Sequence, residues 1–366
     1  MYNRDFQQVY KSINTKQLSL LVLALIKTLL SLFVFLSFNM RLFSRSCQSE
    51  ERLVGKTVVI TGANTGIGKE TARDLYRRGA RVILACRNVA KAEEAVEEIK
   101  TTPPTKPNRA QFNGDPGELA VCHLDLCNLA SVRKCAQILN DTEANIHILI
   151  NNAGVMMCPY AKTDDGYETQ FQSNHLGHFL FTLLLLPKII KSTPARIINV
   201  SSLAHVFGDI NFDDINSERS YSARTAYAQS KLANVLFTKE LARRLEEVKI
   251  EGITTYSLHP GVIATDLGRH FSKTMFPGAR FGFENLLAPF IKTPELGAQT
   301  TIHCATDKKA GTETGLYYKE CGITSSSSAS NNIEKARRLW DVSVKLIGAE
   351  PKNDLNELLA SLVPTK

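Results

Sequence analysis

Tyr227-Ala228-Gln229-Ser230-Lys231 sets a phenol and an amine four residues apart. On a helix that step puts both side chains on one face, roughly 6 Å apart along the axis. A phenol titrates at about 10 when unperturbed, and a nearby ammonium stabilises the phenolate, drawing the value toward working pH. Such a phenol can donate a proton to a carbonyl or accept one from an alcohol, which is general acid/base chemistry. Tyr227 and Lys231 are therefore the candidate catalytic pair. The same spacing recurs in helices that do no chemistry, so the pair needs company. Ser202, which closes Asn199-Val200-Ser201-Ser202 behind a β-branched run, offers a hydroxyl to a substrate oxygen. A serine that merely opens a loop would look the same.

A second group of residues suits a dinucleotide. Thr61-Gly62-Ala63-Asn64-Thr65-Gly66-Ile67-Gly68 follows the run 57–60 and precedes a helical stretch opening with Lys69-Glu70. A pyrophosphate needs exposed backbone N–H groups, close approach and a helix N-terminus, and this turn offers all three. Gly62, Asn64, Thr65, Gly66, Ile67 and Gly68 are its candidate contacts. An ordinary tight turn between strand and helix is the alternative. Asn152, Ala153 and Gly154 end a neighbouring strand with small residues that admit a cofactor. Where NAD-binding chains usually place an acid for the ribose, Cys86-Arg87-Asn88 has none. The planar fork of Arg87 would pair a 2′-phosphate, with Lys69 as a second cation, which favours NADP(H) over NAD(H).

These residues need a scaffold that brings strand ends together. From position 56 onward, short β-branched runs at 57–60, 81–86, 119–124, 146–150, 196–200 and 252–258 alternate with amphipathic stretches. Apolar residues recur at three and four in 89–100 and 227–248. That alternation predicts an α/β fold: one Rossmann-type, doubly wound parallel sheet with helices on both faces. The segment 101–118, with Pro103, Pro104, Pro107 and Pro116, reads as an exposed insert. The serine run at 325–328 reads as a solvated loop before a last helix over 333–347. The Phe- and Gly-rich segment 261–294 follows a strand end, where a lid over a substrate would sit.

With 43% apolar and 22% charged residues, the chain has enough apolar content for an enzyme-sized core. Its net charge of +8 is scattered instead of gathered, and no recognition motif accompanies it, which argues against nucleic acid. The eight cysteines follow no disulfide or zinc spacing, and His175 and His178 have no partners at ligand spacing, so no metal is expected. Free thiols in a reducing compartment are the default reading. The run 18–38 is apolar over a bilayer's thickness, broken chiefly by Lys27, and reads as one membrane span. A cleaved signal peptide competes, but the run is long and no small-x-small site follows. The expected organisation is a tail at 1–17, the anchor at 18–38, a linker at 39–54, a catalytic domain at 55–350 and a tail at 351–366.

The combination T-G-x-x-x-G-I-G, N-N-A-G, S and Y-x-x-x-K, in this order, resembles the short-chain dehydrogenase/reductase superfamily from Lys56 to the last helix. Thr61 to Ala72, Ala85-Cys86-Arg87, Ser173 to Phe179 and Ser230 to Asn234 resemble its membrane-bound, NADP-preferring retinol dehydrogenases. The spacing from Ser202 to Tyr227 is wider than usual in the superfamily and similar to this branch. The resemblance implies that Gly62, Gly66 and Gly68 hold the pyrophosphate and that Asp125 meets the adenine. It implies that Asn152 supports sheet and cofactor and that Asn174 orders a proton-relay water. Ser202 would position the carbonyl, Tyr227 act as acid/base and Lys231 grip the nicotinamide ribose. Pro260, Gly261 and Thr265 would face the nicotinamide amide. The implied substrates are retinal or retinol, with steroid or fatty aldehyde as alternatives and a non-catalytic nucleotide-binding scaffold as the rival from another class. The implied address is the endoplasmic reticulum with the catalytic part in the cytosol, a mitochondrial membrane being second.

Overall fold

The computed structural model of the protein describes residues 44–102, 114–263, 274 and 292–362. The expected anchor at 18–38, the middle of the proline-rich insert, most of the expected lid and Thr265 lie outside them. Among the described residues no helix is long and apolar enough to cross a membrane.

In chain order the elements are β1 (Thr57–Thr61), α1 (Gly66–Arg77), β2 (Arg81–Cys86), α2 (Val89–Thr101), β3 (Glu118–His123), α3 (Leu129–Thr142) and β4 (Ile148–Asn151). A short helix (Thr169–Phe171) and one π-turn (Gln172–Leu176) lead into α4 (Gly177–Lys191), followed by β5 (Ala195–Val200). A 3₁₀ turn (Leu203–Phe207) precedes α5 (Ala223–Glu247), β6 (Ile253–His259) and α6 (Pro294–Thr306). The chain continues through β7 (Leu316–Lys319), β8 (Gly322–Ile323), α7 (Ile333–Leu346) and α8 (Leu355–Leu362).

The strands form one sheet in the order β3-β2-β1-β4-β5-β6-β7-β8, parallel except for the antiparallel β7–β8 pair. Side chains alternate along each strand, so both faces need cover. Val59, Ile83, Leu149 and Ile197 pack beneath α3, α4, α7 and α8. Val58, Ile60, Val82, Leu84, Ile150 and Ile198 pack beneath α1, α2 and α6. This is the expected doubly wound sheet with helices on both faces. Strand order reverses between β1 and β4, and the crevice at their carboxyl ends is where such sheets bind ligands.

Several boundaries differ from expectation. β7 escapes a reading of β-branched runs because Leu316-Tyr317-Tyr318-Lys319 holds no β-branched residue, and β8 because it is only two residues long. The second half of the expected linker is bound to the domain: Cys47 N donates to Gln299 Oε1 (3.0 Å), Arg45 N to Glu320 Oε2 (3.1 Å), and Leu53 is buried. The expected tail at 351–366 contains α8, whose Leu355, Leu358, Leu359 and Leu362 enter the main core. Burial of each such leucine is worth about 1.5–3 kcal/mol over exposure, which is why the segment is held. The serine run is also docked, since Ser327 N donates to His205 Nε2 (3.1 Å).

Candidate active site

The helix that carries Tyr227 starts earlier than its apolar pattern, at Ala223, because the Ser222 hydroxyl accepts from Thr225 N and caps it. Tyr227, Lys231 and Asn234 then recur on the face turned to the end of β5. Lys231 Nζ donates to Val200 O (3.1 Å) and Asn234 Nδ2 to the same oxygen (3.3 Å), while Ser201 Oγ donates to Lys231 O (2.7 Å). Ser202 stands beside the Tyr227 phenol, and its Oγ accepts from Ala204 N (3.2 Å) as the cap of the 3₁₀ turn. Lys231 Nζ lies 5.8 Å from the Tyr227 ring centroid.

Asn174 sits in the π-turn, an interruption of the helical ladder that often marks functional sites. It is fully buried, and its Oδ1 accepts from Val155 N (2.8 Å) while Nδ2 donates to Val155 O and Ser230 Oγ (both 2.9 Å). That bracket links the N-N-A-G turn to the helix of Tyr227. A Cβ at Gly154 would come within 3.2 Å of Asn174 Oδ1 and 3.4 Å of Lys231 Nζ, so this bare backbone forms the floor between them.

The other end of the crevice fits a dinucleotide. Asn88, Asn128, Ser222, Thr293 and Asn332 each cap the helix that follows with a side-chain oxygen, but Thr65, in front of α1, makes no such bond. The first N–H groups of α1 are thus left for an anion at the turn formed by Gly62, Asn64, Thr65, Gly66 and Ile67. Gly62 has φ +65°, and a Cβ there would meet that of Ala153 at 2.9 Å. Gly68 has no room either, since a Cβ would lie 2.5 Å from Asn152 Nδ2. Asn152 closes the seam by donating from Nδ2 to Thr61 O (2.8 Å). Arg87 stands exposed at the end of β2. Lys69, read as its companion cation, instead pairs with Glu98 at 2.7 and 2.8 Å, because α2 brings that carboxylate alongside α1. Asp125 Oδ1 accepts from Cys127 N (2.9 Å), which fixes the turn after β3.

The electrostatics depart from the simplest reading of the pair. Burial pushes the Tyr227 phenol up to about 12, the Ser202 hydrogen bond being the lone opposing influence. Burial also brings the Lys231 ammonium down to about 8. The expected drop of the phenol toward neutral pH is not seen: burial dominates at both groups and shifts each toward its neutral form, the phenol up and the ammonium down. The phenol therefore keeps its proton at working pH.

Residues 56–275 match the family model of the short chain dehydrogenases, a stretch that holds the glycine turn, Asn174, Ser202, Tyr227 and Lys231. The chain belongs to that family. It is 49% identical over 307 residues to human retinol dehydrogenase 11, covering 84% of this chain and 90% of that protein. Identity to human retinol dehydrogenase 12 is 46%, over 90% and 98% of the two chains. Among solved structures it resembles an NADP active-site complex of RhlG from Pseudomonas aeruginosa, with TM-score 0.55, 25% identity, and 74% and 96% of the chains covered. The short chain dehydrogenase described here is thus a retinol dehydrogenase-like oxidoreductase of CH–OH groups that uses a nicotinamide dinucleotide.

Such a cofactor supplies the hydride when bound. The arrangement sets the Ser202 side chain and the Tyr227 phenol side by side, where a carbonyl oxygen placed between them would be within reach of the phenol proton. One contributor escaped the sequence reading. His259 is buried at the end of β6, and its Nδ1 faces the backbone N–H of both Leu203 (3.1 Å) and Gly261 (3.4 Å). It thereby ties the Ser202 turn to the Pro260-Gly261 turn. A histidine closing the strand just before Pro-Gly was the available signal. The two shifts give a test: kcat/KM for carbonyl reduction should be level at lower pH and fall as pH rises through about 8, where the ammonium is lost. The phenol, protonated to about 12, adds no earlier limb. A profile level up to 10.5, the ordinary lysine value, would contradict this electrostatic account.

Proposed function

We propose that this protein is an NADPH-dependent reductase of lipophilic aldehydes, retinal foremost, held at a membrane by the segment 18–38. The observation that carries the substrate class is the likeness to retinol dehydrogenases over more than four fifths of the chain. An apolar rim agrees with it: Leu203, Val206, Phe207 and Val262 are exposed beside Ser202 and Gly261. Preference for NADPH is supported by Arg87 at the end of β2, where no acid stands, and by the NADP bound to the RhlG relative. A guanidinium reads a 2′-phosphate in two directions at once, whereas a free 2′-OH gives it nothing to pair.

Membrane attachment gains support from where the chain enters the domain. Six peptide steps separate Phe38 from Ser44, a reach of about 20 Å. Arg45 N is bonded to Glu320, Glu320 pairs with Lys292, and the Lys292 stem lies against Gly261. A tether through this segment would enter the domain on the Gly261 side of the crevice, where a bilayer-dissolved substrate would meet the apolar rim at short range. The described cysteines are all free thiols, in keeping with a catalytic part in the cytosol and an anchor in the endoplasmic reticulum.

Reconstituted full-length protein, assayed for NADPH oxidation with all-trans-retinal, a steroid ketone and a long-chain fatty aldehyde, tests the substrate. Retinal should lead in kcat/KM by about tenfold or more, a margin that one or two well-made contacts supply. A tenfold lead for either of the other substrates would overturn the retinoid reading. The cofactor is tested separately by Arg87→Asp, which should cut the NADPH-to-NADH preference by about tenfold or more. An unchanged ratio would remove Arg87 from the 2′-phosphate site.

A further inference from the structure

His178 lies at the second position of α4, buried, with a partner on each ring nitrogen. Nδ1 is 3.0 Å from Asn174 O, and Nε2 is 2.8 Å from Thr61 Oγ1. Hydrogen counting leaves one arrangement. A carbonyl oxygen only accepts, so Nδ1 carries the hydrogen. Thr61 Oγ1 already accepts from the backbone N–H of Asn152 and of Ala153, both at 2.9 Å. Its lone pairs are used, so its own hydrogen goes to Nε2. The ring is neutral, and burial together with the nearby Lys231 ammonium keeps it so, with a pKa brought down to about 4.

We propose that His178 is a positioning residue that locks the two halves of the site to each other. Its Nε2 end holds the Thr61 hydroxyl, and through it the Asn152-Ala153 backbone that closes on the glycine turn. Its Nδ1 end holds the carbonyl of the π-turn that aims the Asn174 amide at Val155 and at Ser230, the neighbour of Lys231. The dinucleotide cradle and the proton-handling side are thus set by opposite edges of one imidazole. A histidine that only filled space would need neither bond. This inference rests on reading the crevice as a nicotinamide site.

The two edges can be removed one at a time. In His178→Asn the shorter amide reaches the place of Nδ1 and still donates to Asn174 O, but the Thr61 hydroxyl loses its acceptor. In His178→Gln the longer amide reaches the place of Nε2 and accepts from Thr61, but the Asn174 carbonyl loses this donor. Titration calorimetry of the full-length protein should show H178N binding NADPH on the order of tenfold more weakly, with kcat within about twofold of wild type. H178Q should keep its NADPH affinity within about twofold while kcat falls on the order of tenfold. Thr61→Val removes the first link from its other end and should weaken NADPH by about tenfold or more with kcat retained, which keeps the test available should H178N not fold. Loss of affinity and turnover in equal proportion in both histidine variants, or no change in either, would overturn the proposal. Failure of the wild-type protein to bind NADPH or NADH would instead overturn the nicotinamide site, and this inference with it.

Discussion

A buried ammonium has few ways to be satisfied, and Lys231 is tied to one of them. It is 4% exposed, its Nζ donates to the carbonyl of Val200, and its own carbonyl accepts from Ser201. These contacts set the end of β5 against one face of α5. Because Tyr227 is one turn away on that face, the phenol is delivered to Ser202 by the same contacts. Gly154 completes the arrangement by having no side chain, which lets Asn174 and Lys231 face each other across bare backbone. The rest of the sheet serves this meeting of strand ends by holding β4, β5 and β6 in parallel register.

The chemistry follows from burial more than from the attraction of one charge for another. Burial raises the phenol and lowers the ammonium, so each group moves toward neutrality. A phenol held protonated at working pH has its proton in place for a carbonyl oxygen, although the raised pKa makes it a weaker acid. On the opposite side of the crevice, a helix without a side-chain cap and a glycine turn without room for Cβ atoms leave backbone N–H groups for an anion.

Much of this was legible in the sequence because the signals are local. β-branched runs gave strands β1 to β6, and the glycine turn, Arg87, Ser202 and Tyr227-to-Lys231 could be singled out by type and spacing. The structure brings Asn174, Ser202, Tyr227 and Lys231 together and sets Asn152 to Gly154 against the glycine turn. What escaped depends on contacts between distant segments. Lys69 could not be separated from Arg87 as a candidate until Glu98 was seen beside it. The direction of the Tyr227 shift required burial, which no spacing records. His259 and His178 looked like ordinary polar residues, since each has one partner far off in the chain, 56 and 117 positions away. α8 passed for a tail because eight residues show an apolar face only once there is a core to receive it.

The claim that Tyr227 is the proton donor, in a site whose binding groups stand independently of its hydroxyl, is tested most directly by single-turnover reduction in Tyr227→Phe. Enzyme loaded with NADPH is mixed with excess retinal, and loss of the reduced nicotinamide is followed in time. Phe keeps the ring and removes only the hydroxyl, so NADPH should still bind within about twofold of wild type while the turnover rate falls by about a hundredfold or more, the usual share of a general acid. A variant that binds NADPH equally well and reduces retinal at the wild-type rate would contradict the account.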